Sequence, residues 1–153
     1  MSTTTVTSPS STTTTLQPYL FFGGRCEEAI AFYRQALDAE VEMMMRFKQS
    51  PDPIPAGMLP PGFEDKIMHS YLRIAGNLIM MSDGCNPSTF GGFSLALNFP
   101  TERKVDSVFN ALAEGGKVEM PLGKTFWSAR FGTVTDRFGV SWMVGVTTEM
   151  SRG

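Results

Sequence analysis

The spacing of hydrophobic positions changes along the chain in an order that occurs twice. Leu16–Phe22 is a short apolar and aromatic run stopped by Gly23-Gly24, the pattern of a buried strand. Ala29, Ile30, Tyr33, Ala36 and Leu37 then recur at helical spacing, with Glu27 and Glu28 in the first turn, where the helix dipole favours acids. Glu40–Phe47 returns to a strand pattern. The segment Pro51–Gly62 carries five prolines and cannot continue a ladder. Ile67–Ile74 alternates strictly, with Ile67, His69, Tyr71 and Arg73 on one face and Met68, Ser70, Leu72 and Ile74 on the other. A hairpin through Gly76 closes this half at Asp83. Gly84–Gly92 is a polar connection, and the order then repeats. Phe93–Phe99 is predicted as a strand, and Thr101 as the cap of a helix whose face is Val105, Val108, Phe109 and Leu112. Gly115-Gly116 ends that helix. Lys117–Leu122, Phe126–Thr135 and Val140–Val146 are the remaining strands.

Residue matches support a duplication. Gly76 and Met80 return as Gly139 and Met143 at an offset of 63 (139 − 76 and 143 − 80), and Val41-Glu-Met43 returns as Val118-Glu-Met120 at 77 (118 − 41). The difference of 14 (77 − 63) is assigned to the longer loop of the first half, Gln49–Lys66. The prediction is an α+β fold: one domain over 16–147, built of tandem β-α-β-β-β modules at about 16–83 and 93–147 joined by a linker at 84–92. The two sheets would form a half-barrel cup with the helices outside. The Ser/Thr-rich stretch 1–15 and the end 148–153 are predicted to be tails, the first disordered for want of anything to bury.

Composition narrows the function classes. The 153 residues, with 42% apolar content, suffice for a core, and there is no run of 18 apolar residues to span a membrane. A net charge of −2 gives no electrostatic footprint for nucleic acid. Cys26 and Cys85 are too few and too scattered for a disulfide framework or a zinc site, and read as free thiols in a reducing compartment. The first fifteen residues lack the features of a signal or transit peptide, so a cytoplasmic protein is expected.

Several local motifs go further: Pro18-Tyr19, Ala29-Ile-Ala-Phe-Tyr33, Arg73-Ile-Ala-Gly76, Met80-Met-Ser-Asp83, Thr125-Phe-Trp127 and Asp136-Arg-Phe-Gly-Val-Ser-Trp142. With the tandem module pattern, they resemble the PhnB-like branch of the vicinal oxygen chelate superfamily, which includes glyoxalase I, bleomycin-resistance proteins and ring-cleaving dioxygenases. That branch often carries a 3-demethylubiquinone 3-methyltransferase label. The nucleotide-cofactor cradle such an activity would need is not visible here. Metal enzymes of the superfamily chelate a divalent ion from the first and last strands of each module. The resemblance places those positions at Gln17, Met80, Ser94 and Met143. Two thioethers and a hydroxyl are poor company for the one ordinary donor, Gln17. The resemblance therefore implies no metal site and no cofactor, with a divalent ion as the minor alternative. It also implies a homodimer, and the apolar residues Ile54, Met58, Leu59 and Phe63 of the Pro-rich loop give that dimer something to cover.

The expected function is binding of a small, partly apolar molecule in a metal-free cup. Gln17, Tyr19, Phe21, Met80, Ser82, Asp83, Ser94, Trp127 and Met143 are the candidate lining. His69, the only histidine, and Arg130 are the candidate polar or catalytic groups. The offset of 63 sets His69 opposite Gly132, with Arg130 on the same face. Asp83 can instead satisfy turn amides, and the large aromatics can simply pack. Met43-Met-Met45, Met80-Met81 and Met143 offer soft donors for Cu(I), but adjacent strand residues point apart, which favours core filling. Two rival classes remain: a glyoxalase-type lyase, isomerase or dioxygenase with a non-standard site including His69, and a structural or partner-binding homodimer.

Overall fold

A computed structural model describes residues 13–148; the expected tails at 1–12 and 149–153 lie outside them. The element order is β1 (Tyr19–Phe21), α1 (Cys26–Leu37), β2 (Glu40–Arg46), β3 (Ile67–Ile74), β4 (Asn77–Ser82), β5 (Leu95–Phe99), α2 (Glu102–Ala113), β6 (Lys117–Gly123), β7 (Phe131–Thr135) and β8 (Ser141–Val146). This is β-α-β-β-β twice. The strands form two four-stranded sheets, β1-β4-β3-β2 and β5-β8-β7-β6, each with one parallel pair. The fold is α+β, an open cup rather than a closed barrel, with one helix laid on each sheet.

The strands are shorter than the apolar runs predict where side chains compete for the backbone. Phe126–Arg130 is a loop instead of the start of β7. The Thr125 hydroxyl accepts from the amides of Trp127 (3.3 Å) and Ser128 (3.0 Å), and the Thr125 amide donates to the Ser128 carbonyl (2.9 Å). At α2 the expected cap is present, with the Thr101 hydroxyl accepting from the Lys104 amide at 3.2 Å.

Pairing registers correct the single offset. Tyr71 pairs with Met43 and Met80, while Thr133 pairs with Met120 and Met143. The repeat offset is thus 77 at β2/β6 (120 − 43), 62 at β3/β7 (133 − 71) and 63 at β4/β8 (143 − 80). The first loop is longer by 15 residues (77 − 62), and the β7–β8 turn carries one extra residue. The first hairpin turns tightly through Ala75 (φ 50°) and Gly76 (φ 80°), the two successive left-handed residues that a two-residue turn requires. The second uses Asp136–Val140.

One core unites the modules. Leu20, Phe22, Tyr33, Leu72 and Met81 of the first join Val105, Phe109, Val134, Trp142 and Val144 of the second. At its centre the buried Asp136 carboxylate accepts from Tyr33 Oη (2.5 Å), Trp142 Nε1 (2.9 Å) and the amides of Phe138 (2.9 Å) and Val140 (3.0 Å). Phe138 then packs on Phe22, Phe32 and Tyr33.

Burial, reinforced by the adjacent Asp136 carboxylate, holds the Tyr33 phenol far above the ordinary tyrosine range. The unfolded chain therefore sheds this proton first. The contribution to stability is whole below about pH 10 and falls as pH rises past it. Tyr33→Phe is expected to lose about 1–3 kcal/mol at neutral pH in urea unfolding, and to decline less steeply than wild type between about pH 10 and 11. Parallel pH profiles would show that the phenol is not held in this way.

Candidate functional site

Each sheet turns one face to its helix and leaves the other open. On the first sheet the helix face carries Leu20, Ser70, Leu72, Ile79 and Met81, all buried. The open face follows from the alternation and the pairings. Across its middle run Tyr19, Met80, Tyr71 and Met43, and beside them His69 and Met45 are paired. Its side chains are half-buried, and Phe21 is 45% exposed.

The rings on this face form one assembly. Tyr19 stacks against Phe21 on one side (4.8 Å between centroids, 25° between planes) and His69 on the other (5.5 Å, 25°). Tyr71 meets His69 edge-on at 4.7 Å. The Tyr19 hydroxyl and His69 Nδ1 are hydrogen-bonded at 2.8 Å. Whichever atom donates, this bond fixes the ring, and Nε2 is the imidazole nitrogen that remains for a ligand. Arg73, at the end of the same face, is bound through its guanidinium to Glu42 (2.9 and 3.2 Å) and holds that carboxyl below its usual range. The open face of the first sheet is therefore aromatic and thioether-rich, with one imidazole.

The second sheet's open face is made of smaller, more polar groups. Met143 lies between Ala96 and Thr133, and Ser94 bonds Ser141 through their hydroxyls at 2.6 Å. At one end Trp127 packs edge-on against Phe131 (5.3 Å) and Phe126 (4.8 Å).

The predicted site residues fall into separate groups. Tyr19, Phe21, His69 and Met80 come together on the first sheet, and Ser94 and Met143 lie on the second. Gln17 precedes β1 and lines a cavity between the sheets instead. Ser82 is buried, its hydroxyl accepting from the Gly84 amide at 3.2 Å. Asp83 is fully buried, and its carboxylate accepts from the amides of Gly24 (2.7 Å), Cys26 (2.7 Å) and Ile67 (2.8 Å), tying the start of α1 to β3. Arg130 does not join His69: it pairs with Asp106 of α2, on the helix side. Gly132 lies on that side too, since a Cβ there would come within 2.9 Å of the Phe109 ring of α2. The one-residue difference between the hairpin turns produces this result, because a slip of one reverses the face. The counterpart of His69 is Phe131. Tyr71, which alternation already set beside His69, joins the face with Met43 and Met45, though none of the three was proposed as lining; the i, i+2 alternation in both strands was the available signal. Burial pushes the thiol of Cys26 well above its ordinary range, which makes it inert.

The Glyoxalase/Bleomycin resistance protein/Dioxygenase superfamily profile matches residues 15–144. The chain belongs to this superfamily. Among its relatives, protein YjdN of Escherichia coli strain K12 is 40% identical over 143 residues, covering 88% of this chain and 96% of that one. Protein PA1353 of Pseudomonas aeruginosa is 44% identical with a TM-score of 0.74, over 86% of this chain and 98% of that structure. The PhnB protein of Bacillus cereus, described as a 3-demethylubiquinone-9 3-methyltransferase, is 30% identical with a TM-score of 0.72, over 88% of this chain and all (100%) of that one. Many superfamily members hold a divalent metal, but the residues here do not fit one. The last-strand positions are thioethers, Ser94 is engaged with Ser141, and Gln17 is turned to the seam. Among the described residues, no group of three or more His, Cys, Asp or Glu side chains could hold an ion. Nor is any helix among them long and apolar enough to cross a membrane.

Asp83→Asn keeps the shape of the side chain but turns an amide donor toward one of the three backbone donors. It is expected to lower stability by at least about 2 kcal/mol in urea unfolding and to speed hydrogen exchange in the first turn of α1. An unchanged midpoint would contradict an anchoring role for this carboxylate.

Proposed function

We propose that this protein binds a small, partly apolar molecule in its cup without a metal ion, and that it works as a homodimer in the cytoplasm. The observation that carries the reading is the open face of the first sheet. Tyr19, Phe21, Tyr71, Met43, Met45 and Met80 present rings and thioethers, and His69, held in place by Tyr19, and the Tyr71 hydroxyl offer hydrogen-bonding groups. A mainly apolar wall with one or two fixed polar groups is the usual make-up of a small-molecule site. Methionine adds polarisable contact area that adapts to ligand shape. Ser94, Met143 and Trp127 on the second sheet supply the opposing wall. The exposed apolar residues Met44 and Met58, which lie outside the walls of the cup, support the dimer, since association would remove them from water.

Elemental analysis of untagged protein, with and without added Ni, Zn, Mn and Fe, is the first test, followed by a search for compounds that raise the melting temperature. Sub-stoichiometric metal is expected under every condition. A stabilising compound should lose at least tenfold in affinity in Tyr19→Ala and in Met80→Asp. A stoichiometric ion that disappears in His69→Ala would replace this reading with metal-dependent glyoxalase- or dioxygenase-type chemistry. A dimer that binds no compound and buries both open faces would make the protein a structural one.

A further inference from the structure

The two sheets do not hydrogen-bond to each other, and a cavity of about 720 Å³ opens along the seam between them. Its walls come from the segment leading into β1, the β3–β4 hairpin and β5. The duplication gives the other end of the seam different contents. The repeat offsets carry these walls onto the segment before β5, the β7–β8 turn and β1 at the other end of the seam. There the longer turn inserts Phe138 against Phe22 (5.9 Å between centroids), and Phe90 packs on Phe22 (5.2 Å) and Phe93 (6.4 Å). The tight Ala75-Gly76 turn has only a methyl to offer, so no ring occupies at this end the position that Phe138 fills at the other.

We propose that this seam cavity is a second ligand site, separate from the cup, for an uncharged molecule with an apolar body and an amide or similar neutral polar head. The volume suits a drug-sized ligand. Ile74, Ile79 and Leu97, from the buried sides of the two sheets, give it an apolar floor. The carboxamides of Gln17 and Asn98 stand on its rim, one from each module, and neither has a hydrogen-bond partner among the described residues. Each amide both donates and accepts, which matches a ligand amide or a carbonyl beside a hydroxyl. The one ionised group in the lining, Arg73, is already bound to Glu42. A charged ligand would shed its hydration with no free counter-charge to meet it, so the site selects against ions.

Octanamide and octanoate share a chain and differ in charge, and methyl and indole NMR of the full chain reads where each one binds. Octanamide is expected to shift the methyl signals of Ile74, Ile79 and Leu97 and the indole signal of Trp142 in a saturable way, with octanoate at least tenfold weaker. Replacing both Gln17 and Asn98 with Ala should weaken octanamide about tenfold. Tyr19→Ala should leave it unchanged, so failure here is distinct from failure of the cup reading. Equal binding of the two probes, shifts confined to the Met43 and Met80 methyls, or no saturable shift would each overturn the proposal. So would seam shifts that appear on raising protein concentration without any probe, because a second copy would then be the occupant.

Discussion

The buried carboxylate of Asp136 is the constraint on which the arrangement of the two modules depends. A charge removed from water is tolerated only where its acceptor capacity is filled, and four donors fill it here. Two are amides of its own turn, so the carboxylate shapes the β7–β8 hairpin. The third, the Trp142 indole, fixes a large core side chain on β8. The fourth is the Tyr33 phenol of α1, in the other module. One side chain thus sets a turn, a core residue and the docking of one half on the other. Phe138 sits on the turn that Asp136 shapes, so the plug at that end of the seam depends on the same interaction. Asp83 has the corresponding task inside the first module, where three amides from the start of α1 and from β3 converge on it.

A duplicated fold makes symmetric expectations, and the two halves keep to them only in part. The repeated Val-Glu-Met segments keep even their irregularity: pairing skips a residue between Val41 and Met43 and again between Val118 and Met120. The bulged glutamates answer to equivalent partners, Glu42 to Arg73 and Glu119 to Thr135. The hairpin turns are not equivalent. One extra residue puts His69 on an open face and Gly132 under a helix, and it brings Phe138 against Phe22 at one end of the seam while the cavity opens at the other.

The order of elements and the helix faces were legible in the sequence, because periodicity depends on burial and burial dominates the energetics. Val105, Val108, Phe109 and Leu112 are buried as their spacing requires. The β7 boundary was less legible, since the hydroxyls of Thr125 and Ser128 compete for amides that an apolar reading assigns to a ladder. The site was legible only strand by strand. Alternation placed His69 with Tyr71, but which residues of the other module share their side depends on a turn length that two matched residues, Gly76 and Gly139, could not resolve. Ser82 and Asp83 look equally polar in sequence, and only three-dimensional convergence shows that backbone amides already occupy both.

The chemistry of the two open faces follows from the same divergence. Tyr19 and Ala96 are counterparts (96 − 19 = 77), as are His69 and Phe131 (131 − 69 = 62) and Tyr71 and Thr133 (133 − 71 = 62). Where one sheet carries a phenol, an imidazole and a second phenol, the other carries a methyl, a phenyl and a hydroxyl. The methionines are common to both, Met80 with Met143 at the centre of the last strands and Met43 with Met120. A hard ion held between the modules needs donors from both halves, and this chain offers thioethers at the shared position. An apolar molecule needs no such pairing. It needs one broad wall of rings with a few polar groups, at least one of which cannot swing away, and the Tyr19–His69 bond gives the first sheet that property. The divergence that leaves no matched set of hard donors is thus the same one that builds the asymmetric surface on which the proposed ligand would sit.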